Sequence, residues 1–268
     1  MLYKELVENS IDAGSRSIEV EIAEGGLAYI RISDDGCGME KEDLSLSVER
    51  HATSKISTAD NIYHIASLGF RGEALASIAS VSRMKITARI QGSETAQWIS
   101  VEGSHITDRG ETGAPQGTTV EIRDLFYNVP ARKKFLKSER TESGRINTML
   151  GKLAMANPGI AFRLINNGRT VIETPGNGRL LDVLSALYGI DTAGEMLPVS
   201  GEEVQMDGFI SKPSLLKKQP AVPDLYCKPA GCRQSSHKQG HGQCLSFPAA
   251  EKWIPGGGAP SPGASGNH

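Results

Sequence analysis

Up to about residue 214 the sequence keeps a hydrophobic rhythm, and after Leu216 it keeps none. A chain needs that rhythm to bury one side of each helix and strand, so the rhythm marks out the part that folds. Residues 4–13 repeat at the helical period and run into Gly14, a helix stop. Residues 17–23 and 27–33 alternate on either side of Gly25-Gly26, which predicts a β-hairpin. Helices are expected over 40–50 and 73–80, and strands over 84–90, 96–101 and 118–122. A long helix over 143–156 stops at Asn157-Pro158-Gly159, and strands over 161–165 and 170–173 flank the turn Asn166-Asn167-Gly168. A helix over 180–188 is expected to open a second domain, with strands over 196–199 and 204–210. This order predicts an α+β sandwich with its helices on one face.

The remaining stretch, 217–268, is thick with Pro, Gly and Ser. Such a composition buries too little apolar surface to offset chain entropy, so disorder is expected there. Cys227, Cys232, His237, His241 and Cys244 lie in it at spacings unlike those of paired zinc ligands, and no zinc site is expected. With suitable codons a one-nucleotide shift turns KQPAVPDLYCKPAG into SNRQYQTFIVNRRV, and QGHGQCLSFPAA into RAMDNAYHSLLP. Both read as folded sequence, so the tail is expected to be out-of-frame translation. The formal net charge is -2, which excludes a globally basic nucleic-acid binder; DNA contact must come from a local patch. No apolar stretch has membrane length, and MLYKELVENS lacks the core of a signal peptide. Four cysteines, three of them crowded near the end, make no disulfide framework, which points to a reducing cytoplasm.

Three motifs carry chemistry. In ELVENSID, Glu5, Asn9 and Asp12 fall on one helical face. A polar stripe of this kind is ordinarily a solvated face. Asn is an indifferent helix former, however, so Asn9 in mid-helix invites a reason. Its amide oxygen can ligate Mg²⁺, and Glu5 one turn away can act as general base on a water. In SDDGCGM, Asp34 is an acceptor for an exocyclic amine, and Gly36 and Gly38 allow close backbone approach to a flat base. In SLGFRGEAL, glycines precede a helix whose first N–H groups suit an anion, with Thr53 and Lys55 upstream. No Walker A pattern occurs, which excludes a P-loop.

Together KELVENSIDAG, SDDGCGM, HATSKI, GFRGEALASI and GTTVEIRDLFYNVPARKKFLK resemble the MutL family of the GHKL ATPase superfamily, over roughly residues 3–216. The resemblance implies a Bergerat-type layered sandwich over 1–178, the start of a truncated ribosomal-S5-like domain over 179–216, and a tail over 217–268. It implies ATP and Mg²⁺ as cofactors, Glu5 as general base, Asn9 as the Mg²⁺ ligand and Asp34 as the adenine-reading acid. Gly36 and Gly38 would line the base, and Thr118 would lie on the strand beneath it. Gly69, Phe70, Arg71, Gly72 and Glu73 would form the lid over the phosphates, with Thr53 and Lys55 nearby. Family members use ATP to dimerise, clamp DNA and relay a mismatch signal from MutS to downstream nucleases and helicase.

Two departures set a second expectation. The family has a further segment before the first helix, and its second domain supplies a phosphate-facing lysine that nothing in this tail resembles. Weak or absent hydrolysis is therefore expected, and the alternative to a repair ATPase is an inactive nucleotide-binding fragment, a pseudogene product. For DNA, the best patch is Arg132, Lys133, Lys134 and Lys137, with Arg140 and Arg145 beyond; Phe135 and Leu136 are expected to face inwards. Phosphate contacts there would be salt-sensitive and indifferent to sequence.

Overall fold

The structure, a computed structural model, describes residues 2–49, 74–201, 206–212 and 225–229. In chain order these form α1 (Leu2–Asp12), β1 (Ser17–Ala23), a short turn of 3₁₀ helix (Glu24–Gly26), β2 (Tyr29–Asp34), α2 (Lys41–Leu46) and α3 (Ala74–Ala79). Then follow β3 (Arg83–Arg89), β4 (Ala96–Glu102), β5 (His105–Thr112), β6 (Gly117–Arg123), α4 (Pro130–Lys134) and α5 (Glu139–Ala156). The last elements are β7 (Ala161–Asn166), β8 (Arg169–Glu173), α6 (Leu180–Tyr188), α7 (Ile190–Gly194), β9 (Met196–Gly201), β10 (Met206–Ser211) and β11 (Leu225–Pro229).

Eight strands make one sheet in the order β5-β4-β3-β6-β2-β1-β7-β8, and β9 to β11 make a second. The β1–β2 hairpin has the expected antiparallel pairing, and β1 also pairs with β7 in parallel. Alternation decides the faces. Ile18, Val20, Ile22, Ile30 and Ile32 are buried on one side. Glu19, Glu21 and Arg31 lie on the other, where Arg31 reaches both glutamates at 3.5 and 3.6 Å. Leu6, Val7 and Ile11 of α1 and Ile146, Leu150 and Ala154 of α5 close over the apolar face, giving the α+β sandwich. Val183 and Leu184 of α6 join the same core. The β1–β2 turn is wedged between two helices: Tyr3 of α1 lies against Gly26, and its hydroxyl donates to the Gly25 carbonyl at 3.4 Å.

The structure departs from the sequence expectations in several places, the short α7 among them. β5 was not expected at all. It is an edge strand exposed along nearly its whole length, and alternation reveals a strand only where one face is buried. α5 starts at Glu139 because Ser138 caps it, its hydroxyl accepting from the Thr141 N–H at 3.4 Å; the apolar period begins only at Ile146. α2 is shorter than the 40–50 expected. Phe135 does not face inwards but is 84% exposed, because α4 ends at Lys134 and no helical stripe continues through it; Leu136 is half-buried. Within the stretch expected to lack regular structure, 225–229 pairs antiparallel with β10. An open strand edge can be met by any extended segment, periodic or not, and Pro229 stands at the end of the strand, where a missing N–H matters least. The rest of 217–268, including Cys232, His237, His241 and Cys244, lies outside the described residues.

Candidate functional site

The end of β2, the start of β6 and the second half of α1 converge on Asp34. Asp34 stands opposite Thr118 in the β2–β6 register. Its Oδ1 accepts from the N–H groups of Gly36 at 3.0 Å and Thr118 at 3.2 Å. Its Oδ2 accepts from the Ser10 hydroxyl at 2.7 Å. Ser15 braces Ser10, donating its hydroxyl to the Ser10 carbonyl at 2.6 Å. Burial pushes the Asp34 carboxyl up from its ordinary value, and the hydrogen bonds from Ser10, Gly36 and Thr118 pull it back. A carboxylate oxygen accepts about two hydrogen bonds, so Oδ1 is filled and Oδ2 keeps one position for a donor.

The neighbouring Asp35 does different work. Its Oδ1 accepts from the N–H groups of Arg16 at 2.7 Å and Ser17 at 2.9 Å, which pins the link between α1 and β1. Two glycines make room for this packing. A Cβ on Gly36 would lie 2.7 Å from the Ala13 Cβ and 2.8 Å from the Ser15 hydroxyl. Gly38, at φ 73°, backs onto the Arg89 carbonyl with no space for a side chain. Sequence reasoning missed Ser10, Ser15 and the Thr118 N–H. The only trace of Ser10 in the sequence is a serine one helical turn after the buried Leu6, a position that faces the core.

On α1, Glu5 is exposed and Asn9 half-buried. Among the described residues neither side chain has a hydrogen bond or ion pair. Glu8, by contrast, is buried and held by Lys4 at 2.7 Å. An uncommitted amide oxygen beside the Asp34 cluster suits a hard cation. The described residues contain no group of three or more His, Cys, Asp or Glu that could hold a metal, so an ion here would take most of its ligands from elsewhere. Thr53, Lys55, Gly69, Phe70, Arg71, Gly72 and Glu73 lie outside the described residues.

Across the molecule's surface, α4 opens with Pro130 in its first turn and carries Arg132, Lys133 and Lys134, all exposed. Lys137 and Arg140 are exposed as well. Among the described residues none of these five cations makes an ion pair. Arg145 differs, pairing with the buried Glu142 at 2.8 Å; Glu142 also accepts from the Lys137 N–H at 3.2 Å.

Comparison with known proteins supplies the family. Residues 3–123 match the family described as histidine kinase-, DNA gyrase B- and HSP90-like ATPase. The DNA mismatch repair protein MutL of Desulforudis audaxviator is 47% identical over 216 residues, which is 80% of this chain and 38% of that protein. MutL of Clostridium botulinum is 50% identical over 188 residues, 70% of this chain and 28% of that protein. The chain thus spans roughly a third of the length of these curated relatives. Among solved structures, the Aquifex aeolicus MutL ATPase domain complexed with ADP superposes with a TM-score of 0.63 at 31% identity, covering 78% of this chain and 75% of that one. The chain therefore belongs to the MutL family of DNA mismatch repair proteins and carries the family's GHKL-type ATPase fold.

Proposed function

We propose that this chain binds ATP at the Asp34 end of the sheet and forms part of the hydrolysing switch of a mismatch repair protein, hydrolysing weakly or not at all by itself. The observation that carries the reading is the Asp34 carboxylate, oriented by Ser10, Gly36 and Thr118 with one acceptor position left, while Glu5 and Asn9 of α1 have no side-chain partner among the described residues. Asp34 accepts the adenine amine, with Gly36, Gly38 and Thr118 around the base. Glu5 takes the proton of the attacking water, and the amide oxygen of Asn9 is the protein's ligand to Mg²⁺. When bound, that ion offsets phosphate charge. The motif resemblance assigns Thr53, Lys55, Gly69, Phe70, Arg71, Gly72 and Glu73 to the phosphates and lid. A likeness to a domain solved with ADP supports the nucleotide class.

In the whole protein this switch couples MutS to downstream nuclease and helicase, works as a homodimer and touches DNA through Arg132, Lys133, Lys134 and Lys137. The reading divides the chain into 1–178, 179–216 and 217–268, and its setting is the cytoplasm. Among the described residues no helix is long and apolar enough to cross a membrane.

Nucleotide titration and turnover test the proposal. ATP and ADP bind in preference to GTP, because guanine presents a carbonyl where adenine presents an amine; equal affinity for GTP removes Asp34 from base recognition. In a form that turns over, Glu5→Ala lowers the rate by about 10²–10⁴-fold while ATP affinity holds. Asn9→Ala weakens Mg-ATP binding itself. Equal effects of the two substitutions on binding would reduce both residues to supports of α1.

A further inference from the structure

We propose that Phe135 is a stacking platform for an unpaired base, so that the 130–137 segment recognises single-stranded DNA. The inference rests on the reading of the neighbouring cations as DNA contacts and specifies the form of DNA they meet. At 84% exposure Phe135 is the most exposed of the large apolar side chains described. It stands among Arg132, Lys133, Lys134 and Lys137, with no acid between residues 130 and 138. The next carboxylates along the chain are already engaged: Glu139 accepts from the Asn167 amide at 2.8 Å, and Glu142 accepts from Arg145 and from the Lys137 N–H.

The ring is held out by a braced backbone. On one side the Asn128 amide donates to the Ser80 carbonyl at 2.9 Å; on the other the Lys137 N–H is tied to Glu142 at 3.2 Å. Between these anchors the Phe135 N–H donates to the Arg132 carbonyl at 3.1 Å, and the Leu136 N–H to the Lys133 carbonyl at 3.3 Å. An aromatic face among cations that make no ion pair with the described residues needs a ligand that is both polyanionic and flat-faced. Duplex DNA supplies the phosphates but keeps its bases stacked inside. A single strand supplies both, because each unstacked base has a π-face to lay on the ring. The same ring in a protein-binding patch would call for an apolar surround, and the exposed residues near it in the chain, Arg132, Lys133, Lys134 and Lys137, are cations.

The test uses the full 268-residue chain, a short oligothymidylate and a blunt duplex of equal length. Phe135→Ala is expected to lower affinity for the single strand by roughly five- to 150-fold, the loss of one base–aromatic stack. Duplex affinity and both salt slopes stay at parent values, since the cations that meet the phosphates are untouched. Phe135→Trp is expected to keep single-strand binding and to show indole quenching with the oligothymidylate but not with the duplex. Unchanged single-strand affinity in Phe135→Ala, or an equal loss on both DNAs, overturns the stacking role. If Lys133→Glu combined with Lys134→Glu leaves binding to both DNAs intact, the DNA reading of the whole face fails. Cations that matter while the ring does not would sink only the present inference.

Discussion

At the end of β2, Asp34, Asp35, Ser10 and Ser15 all hydrogen-bond within the protein, and two glycines fit against their neighbours without room for a methyl group. Along 130–137 the cations have no ion pair among the described residues, and the one large ring points into solvent. The first region is built by the fold and its geometry is inseparable from stability. The second is carried by the fold, and its cations and its ring, all exposed, contribute nothing to the core. Substitutions should therefore move stability and affinity together in the first region and separately in the second.

The largest effect is expected at Gly38. An alanine there adds left-handed strain and drives a methyl into the Arg89 backbone, for a combined loss of about 2–5 kcal/mol in urea unfolding. A cost near zero would mean the loop relaxes freely and the cradle is not rigid.

Next comes Tyr3, whose hydroxyl is pushed up to about 12, mainly by burial and further by Glu142. The folded chain holds a proton that the unfolded chain releases from about pH 10, so this contribution is complete below pH 10 and is lost between pH 10 and 12. The loss is on the order of 2–3 kcal/mol. Unfolding curves across that window should fall less steeply in Tyr3→Phe than in the parent; parallel curves would remove Tyr3 from the alkaline response.

Asp34→Asn keeps a carbonyl acceptor but removes the charge, lowering nucleotide affinity by about 1–3 kcal/mol. Thermal stability should fall with it, because an amide nitrogen in the place of Oδ2 cannot accept from the Ser10 hydroxyl. The raised Asp34 carboxyl makes ATP binding fail at a higher pH than an ordinary aspartate would on acidification, which titration calorimetry at stepped pH reads directly. Smallest in stability is Lys133→Glu with Lys134→Glu, expected within about 0.5 kcal/mol of the parent. Its DNA affinity falls alike for all sequences, and the duplex salt slope shrinks by about 0.9 for each phosphate no longer neutralised.

The hairpin from Ser17 to Asp34 was legible because one of its faces is buried, so apolar and polar residues alternate in the sequence. β5 was not, because neither of its faces is covered and nothing forces a pattern on it. Asp34 stood out in its motif, yet SDDGCGM offers two adjacent aspartates, and only the fold separates the one that pins a loop from the one that keeps an acceptor open. Ser10 was missed for the same reason: a hydroxyl acquires its partner through tertiary placement, which leaves no period. Phe135 was misplaced because a helical stripe was carried one residue past the end of α4.

β5 also bears on how the molecule behaves in a crowd. It is the outermost strand of its sheet, and an eight-residue edge offers backbone donors and acceptors to any passing chain, the usual start of aggregation. No helix or loop among the described elements pairs with that edge; its protection is chemical. Asp108, Arg109 and Glu111 are exposed along it, and a register shift at Ser100/Val101 bends the pairing beneath. A strand added there would have to strip water from charges of both signs and follow an irregular template. Colloidal solubility at this edge thus rests on three side chains, which could be replaced without disturbing the fold.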